Sequence, residues 1–117
     1  MNPYYKTSVG KVVELKQQDE LCLWSKNIVE LIIPDVCKKV WCFDNQLTEL
    51  IIPDGCKYVR CYDNQLTKVI IPNSCEGISC RANQLKELVI PAGCEWVWAD
   101  MKSVTELNKV DRLYLYI

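Results

Sequence analysis

Histidine is absent from this sequence of 117 residues, and with it the commonest general base of enzymes. Neither a Ser-His-Asp nor a Cys-His arrangement can be built, and the four glycines form no phosphate-binding loop. Asp44 and Asp63 recur at a strand spacing of about 5 Å, close to the carboxylate separation of retaining glycosidases. Aspartate before asparagine is equally ordinary turn chemistry, and a shallow face raises no carboxyl pKa. The sequence therefore predicts a protein that is not an enzyme and needs no cofactor.

An excess of charge of one sign and a long apolar run are also missing. Fourteen Lys and Arg against fifteen Asp and Glu give a net charge of −1, with both signs interspersed. Such a balance argues against a nucleic-acid or membrane partner. No apolar run approaches the roughly 20 residues that span a bilayer, and the amino terminus lacks a signal-peptide core. A cytoplasmic protein is expected.

What the sequence does contain is a repeat. A step of 19 residues superimposes the prolines, the Asn-Gln-Leu triplets and two sets of cysteines. The prolines are Pro34, Pro53, Pro72 and Pro91, and the asparagines are Asn45, Asn64 and Asn83. The length suits one compact domain, and a repeat of this kind is stable only when each coil stacks on its neighbours.

The unit over residues 56–74 predicts the local structure of one coil. Its first half alternates around Val59 and Cys61, which is strand periodicity, and Asn64 follows as a turn former. A second extended run ends at Pro72, which opens the next turn. The expected fold is an all-β repeat solenoid, a right-handed coil with parallel strands on a concave face, short strands on a convex face and almost no helix.

The ends of the chain are expected to act as caps on one domain, residues 1–117. An amino-terminal cap covers residues 1–17, repeats cover 18–106, and a closing strand covers 107–117. Lys26 and Lys102 replace the repeated asparagine. Apolar residues outside the repeats are assigned as cover for the ends of the core: Val9, Val12, Val13, Leu15, Leu107, Val110, Leu113 and Leu115.

The segment Cys56-x-x-Val59-x-Cys61-x-x-Asn64-x-Leu66 resembles the leucine-rich-repeat pattern Leu-x-x-Leu-x-Leu-x-x-Asn-x-Leu, with cysteine or valine at several leucine positions. The half that ends in Leu50-Ile51-Ile52-Pro53 is similar to short repeats of bacterial leucine-rich-repeat effectors and of some bacterial surface proteins. The resemblance covers about residues 18–110. It implies a scaffold whose surface binds a partner.

The eight cysteines have three possible roles: core packing, metal ligation or disulfides. Seven occupy positions where the repeat requires a small apolar residue, and this favours packing of reduced thiols without metal: Cys37, Cys42, Cys56, Cys61, Cys75, Cys80 and Cys94. Cys22 lies between the inward residues Leu21 and Leu23, so we expect an exposed thiol.

Aromatic residues fall on the outward positions of the concave strands. The predicted partner site comprises Trp24, Trp41, Phe43, Tyr58, Arg60, Tyr62, Arg81, Trp96, Trp98 and Tyr114. Aromatic residues favour strands for structural reasons alone, but half-exposed tryptophan interleaved with arginine is typical of protein-binding hot spots. The favoured function is a protein-binding module, a phage- or bacterium-encoded adaptor or inhibitor that works as a monomer. Stacking of bases on these rings is the weaker reading, because nearby carboxylates repel a phosphate backbone.

A second outward row lies on the convex strands and consists of Ile32, Ile51, Ile70 and Val89. Such a row can simply stiffen an exposed strand, or it can mark a contact surface. The alternative function is therefore a structural or self-assembling module, a homodimer included, that uses this row or the open strand end at residues 113–117.

Overall fold

The computed structural model describes residues 2–100 and the backbone of residues 112–116. These residues form eleven strands and no helix, so none of them belongs to a helix long and apolar enough to cross a membrane. The strands are β1 (Tyr4–Thr7), β2 (Val12–Glu14), β3 (Glu20–Cys22), β4 (Ile28–Ile32), β5 (Lys39–Trp41), β6 (Glu49–Ile51), β7 (Tyr58–Arg60), β8 (Lys68–Ile70), β9 (Gly77–Ser79), β10 (Trp96–Asp100) and β11 (Arg112–Tyr116).

A six-stranded parallel sheet forms one side of the molecule, in the order β11-β10-β9-β7-β5-β3. Its register advances by one repeat at each strand, so that Val40 pairs with Val59 and Val59 with Ile78. The side chains of Val40, Val59 and Ile78 are fully buried. The residues just before and just after each of them in the strand point to the opposite face of the sheet. On the other side β6 and β8 pair in parallel. The chain is thus a β-solenoid of stacked coils, as the repeat predicts.

An asparagine ladder closes the turn after each strand of the sheet. Asn64 Nδ2 donates to the carbonyl of Cys61 in its own coil at 3.1 Å and to that of Cys42 in the preceding coil at 3.0 Å. Its Oδ1 accepts from the backbone amide of Leu47 at 3.0 Å. Asn45 and Asn83 make equivalent bonds. Each asparagine therefore satisfies backbone groups of two coils in a buried setting.

The residue before each ladder asparagine adopts the left-handed backbone conformation. The φ angles are 54° at Asp44, 53° at Asp63 and 55° at Ala82. Aspartate tolerates this conformation better than most side chains. Ser25 Oγ also donates to Asp44 Oδ2 at 2.6 Å. Both aspartates therefore occupy the turn positions that aspartate before asparagine predicts.

Two cysteine ladders run through the core, and the seven predicted core cysteines are buried and free of disulfides. The first ladder consists of Cys37, Cys56, Cys75 and Cys94. Cysteine does more than fill space there, because each thiol donates to the backbone carbonyl two residues further along the chain. The acceptors are Lys39 for Cys37 at 3.1 Å, Tyr58 for Cys56 at 3.8 Å, Gly77 for Cys75 at 3.3 Å and Trp96 for Cys94 at 3.5 Å. A valine at these positions would leave those bonds unmade.

Native thiol labelling should distinguish Cys22 from the other seven cysteines. Cys22 is exposed, and burial raises the pKa of Cys37 to about 11 and that of Cys42 to about 12. Because the thiolate is the nucleophile, we expect a maleimide to add once to the folded protein and eight times after denaturation. Intact mass spectrometry reads both numbers. Rapid addition of a second label to the folded protein would contradict the assignment of the core.

The amino-terminal cap differs from the prediction. Val9 is 90% exposed and Val12 is 59% exposed, so neither covers the core. The cap is an antiparallel hairpin instead, in which β1 pairs with β2 and with β4. Tyr5 and Leu15 supply the apolar contact. Backbone pairing explains the difference, because the exposed edge of β4 needs hydrogen-bond partners that a loose apolar cover does not provide.

The last pairing at the carboxyl end joins β11 to β10 in parallel, with Leu113 opposite Val97 and Leu115 opposite Ala99. This strand is the sixth of the sheet and forms its edge beside β10. Lys102, Leu107 and Val110, to which the sequence assigns capping roles, lie outside the described residues.

Candidate partner-binding face

The outward side of the six-stranded sheet, here called the aromatic face, consists of three rows of side chains that run across the strands. The strand registers place Glu20, Lys39, Tyr58, Gly77 and Trp96 in the leading row, and Cys22, Trp41, Arg60, Ser79 and Trp98 in the central row. Trp24, Phe43, Tyr62, Arg81 and Asp100 follow one outward position later, in the trailing row. All four tryptophans lie on this face.

Aromatic rings stack on one another along the trailing row. The ring centroids of Trp24 and Phe43 are 5.4 Å apart with an interplanar angle of 4°. Those of Phe43 and Tyr62 are 4.5 Å apart with an angle of 6°. The guanidinium of Arg81 lies 5.3 Å from the Tyr62 centroid and extends the stack by one coil. Four successive coils thus contribute to one continuous stack.

Cations lie over aromatic rings in the other two rows as well. The guanidinium of Arg60 is 4.6 Å from the centre of the Trp41 ring, and Nζ of Lys39 is 5.9 Å from that of Tyr58. Such contacts contribute about 0.5–1 kcal/mol each at exposed sites. They fix long, flexible side chains in one orientation before any partner arrives, which lowers the entropic cost of binding.

Stacking determines which part of each ring faces solvent. Phe43 has a ring on each side, and Tyr62 lies between Phe43 and the Arg81 guanidinium. The negative ring faces are therefore occupied within the row, and the rings present their positive edges outward. Trp24, at the end of the stack and 45% exposed, has no ring stacked on its second side among residues 2–100.

Gly77 interrupts the leading row and makes room for the indole of Trp96. A Cβ atom placed on Gly77 would lie 2.0 Å from Trp96 Cε2, so the indole lies directly on the glycine backbone. The neighbouring Ser79 is only 4% exposed, and its Oγ has no hydrogen-bond partner among the described residues. Trp98, which pairs with Ser79 in the register, is 38% exposed.

Two carboxylates of the aromatic face already have a salt-bridge or hydrogen-bond partner. Glu20 forms a 3.6 Å salt bridge with Lys39, and Asp100 Oδ2 accepts from the backbone amide of Ala82 at 3.1 Å. The negative charge of Glu76 raises the pKa of the Tyr58 phenol, with smaller contributions from desolvation and a hydrogen bond to the same carboxylate.

Nine of the ten side chains predicted for the partner site lie on the aromatic face: Trp24, Trp41, Phe43, Tyr58, Arg60, Tyr62, Arg81, Trp96 and Trp98. The tenth, Tyr114, pairs with Trp98 through its backbone, and its side chain lies outside the described residues. Lys39 is expected on this face from the sequence but is not among the predicted site residues, and the burial of Ser79 was not predicted. Gly77, opposite Trp96 in the register, was the available signal that a large neighbouring side chain covers β9.

The second outward row is most exposed over its last three residues. Ile51 is 79% exposed, Ile70 is 68% exposed and Val89 is 50% exposed, and these three residues form what is here called the isoleucine ladder. Ile32 also points outward, between the buried Leu31 and Ile33, and lines the same surface groove as Ile51, but it is only half-exposed because its strand also pairs with β1. The reason is again the hairpin, which continues this side of the solenoid beyond the first coil.

Residues 2–100 contain no group of three or more Cys, Asp or Glu side chains placed to hold a metal ion. A scan against protein-family models and searches of curated proteins and of solved structures find no match to this chain.

Proposed function

We propose that this chain is a non-catalytic protein-binding module, an adaptor or inhibitor that engages its partner through the aromatic face. The observation that carries the proposal is the continuous stack Trp24, Phe43, Tyr62 and Arg81, flanked by Arg60 over Trp41. Rigid aromatic and arginine side chains dominate the energetics of protein interfaces because they bury a large area at small entropic cost.

The stacking geometry favours a protein over a nucleic acid as the partner. Bases bind to exposed ring faces, whereas Phe43 and Tyr62 have their faces covered within the row. Positive ring edges and guanidinium donors instead suit carbonyl and carboxylate oxygens, which a polypeptide supplies.

The same proposal includes kinship with leucine-rich-repeat proteins and a reducing compartment such as the cytoplasm. The strand followed by a ladder asparagine supports the kinship, because Asn64 bonds the backbone of two coils at the position where the repeat pattern has its asparagine. Seven buried cysteines without disulfides support the compartment.

Capture experiments with matched variants of the two outward surfaces test the function. Trp98→Ala and Trp24→Ala truncate exposed residues of the aromatic face, and Ile51→Ala truncates the isoleucine ladder. Truncation of each true hot-spot residue should weaken partner binding by about 2 kcal/mol, which raises Kd about 30-fold. All three variants should fold, because these side chains point away from the core. Binding that survives the tryptophan variants but not Ile51→Ala would place the interface on the other side.

Self-association through the isoleucine ladder is the second candidate, supported by the exposure of Ile51 and Ile70. Glu49 and Lys68 flank the two residues on neighbouring strands in register. A twofold axis between these strands places the Glu49 of each copy opposite the Lys68 of the other, around a shared apolar row. The charge pattern therefore suits an isologous dimer.

Sedimentation velocity across a hundredfold range of protein concentration distinguishes the two candidates. A monomer throughout supports the adaptor. A dimer that dissociates in Ile70→Glu, but not in Trp98→Ala, supports the second candidate and gives the aromatic face no part in assembly.

A further inference from the structure

The central row of the aromatic face contains an arginine that has no anionic partner among residues 2–100. Arg60 is exposed on β7, a strand inside the six-stranded sheet, with Trp41 on one side and Ser79 on the other in the register. Among residues 2–100 its guanidinium makes no hydrogen bond and no salt bridge, and its contact is with the Trp41 ring at 4.6 Å. Lys39, by contrast, is paired with Glu20.

The Arg60 guanidinium lies over the Trp41 ring, and its N–H donors bind no other residue among residues 2–100. A guanidinium that uses its flat face against a ring keeps its N–H donors in the plane of the group, where they match the two oxygens of a carboxylate. The Trp41 indole covers one side of the guanidinium, and a bound partner would exclude further water and strengthen such a pair. The side chain is thus oriented in advance for a bidentate ion pair.

Ser79 gives a second, independent indication of a ligand at this position. Its hydroxyl is buried and has no hydrogen-bond partner among the described residues, which is costly for a polar group. A carboxylate on Arg60 has further lone pairs, and Ser79 lies opposite Arg60 on the neighbouring strand, so its hydroxyl is the nearest unpartnered donor on the described part of the face.

We propose, on the basis of the proposed function, that Arg60 and Ser79 form a subsite for an aspartate or glutamate side chain of the partner. Trp41 and Trp98 lie at the two ends of this subsite, three strand spacings apart, which is about 14 Å. An extended peptide covers that distance in about four residues. The docking segment is therefore an extended stretch with an acidic residue between two apolar residues about four positions apart.

A random peptide library displayed on phage provides the probe. Peptides fused upstream of the coat protein have no free carboxyl terminus, so a selected carboxylate must come from a side chain. Selection on the wild-type protein should enrich peptides with Asp or Glu between apolar residues. Synthetic versions with amidated ends should lose at least about tenfold in affinity for Arg60→Ala and Arg60→Gln, and less for Arg60→Lys, which retains charge without the planar fork.

Reversal of the charge is the sharpest control. Selection on Arg60→Glu should enrich lysine or arginine at the position where the wild type selects an acid. Ser79→Ala should reduce affinity for the acidic peptides while leaving the fold intact, as judged by circular dichroism.

The outcomes separate the subsite from the proposed function. Peptides that depend on Trp98 but show no preference for acids overturn the subsite and leave the aromatic face as the interface. Peptides that require a free carboxyl terminus when tested in synthetic form also overturn it. Failure to enrich any peptide, or enrichment of peptides that bind Trp98→Ala and Arg60→Ala as well as the wild type, contradicts both proposals.

Discussion

Raising the pH from about 8 to about 10 is expected to lower the free energy of unfolding by about 4 kcal/mol. Burial raises the pKa of Cys42 and of Cys80 to about 12, and it raises that of Cys61 between them well above its ordinary value. These thiols stay protonated in the folded protein, whereas the unfolded chain ionises them from about pH 9 upward. The stability that they contribute is fully present below that pH and is lost as the pH rises toward 12.

The size of the effect follows from the number of thiols. Each contributes about 1.4 kcal/mol for every pH unit above about 9, so Cys42, Cys61 and Cys80 together account for about 4 kcal/mol, and the buried Cys37 acts in the same direction. Domains of this size are stable by roughly 5–15 kcal/mol, so alkaline unfolding should be visible in urea titrations carried out under reducing conditions at successive pH values.

Cys42→Ala and Val59→Ala are the matched variants for this prediction, since both truncate a fully buried side chain. Each should lower stability at neutral pH. Only Cys42→Ala should also reduce the slope of stability against pH, by about 1.4 kcal/mol per unit. If both variants keep the wild-type slope, the buried thiol of Cys42 is not a source of the alkaline sensitivity.

Asn64→Ala is expected to lower the free energy of unfolding by about 3 kcal/mol. The substitution leaves the amide of Leu47 and the carbonyl of Cys42 without their side-chain partner in a buried turn. Unlike a surface polar residue, Asn64 is 7% exposed, so water does not readily replace it. In a chain of this size the midpoint of thermal unfolding should fall by about 10 °C.

Gln65→Ala is the control, because Gln65 is the next residue in the chain and its side chain is exposed. Its effect should stay within about 0.5 kcal/mol of zero. Asn64→Asp retains an acceptor for the Leu47 amide but loses both donors. Its free energy of unfolding should therefore be lower than that of Gln65→Ala. Equal stability of Asn64→Ala and Gln65→Ala would contradict the register of the solenoid.

The fold was largely predictable because one physical requirement recurs in every coil. Val40, Val59 and Ile78 occupy the same inward position, and Asn64 recurs where two coils share backbone groups, so one repeat determines the next. The amino-terminal hairpin occurs once and carries no repeat. Its pairing depends on the edge of β4, which the pattern of the repeat does not mark.

The composition of the candidate site was predictable and its geometry was not. Outward positions follow from strand alternation, which alone predicts that Trp24, Phe43 and Tyr62 share one face. Whether rings stack or splay apart depends on side-chain rotamers, which alternation does not determine. The lack of an acceptor for the Arg60 guanidinium among residues 2–100 and the burial of Ser79 likewise depend on the rotamers of neighbouring side chains.

Oxidative footprinting of the complex tests the central claim most directly. The captured partner is added to the wild-type protein, hydroxyl radicals are generated, and oxidation is measured at Trp24, Trp98, Ile51 and Ile70, all exposed in the free chain. Binding through the aromatic face predicts that oxidation of the two tryptophans falls while that of the two isoleucines is unchanged. Protection of the isoleucines with unchanged tryptophans would show that the partner binds the opposite side of the solenoid.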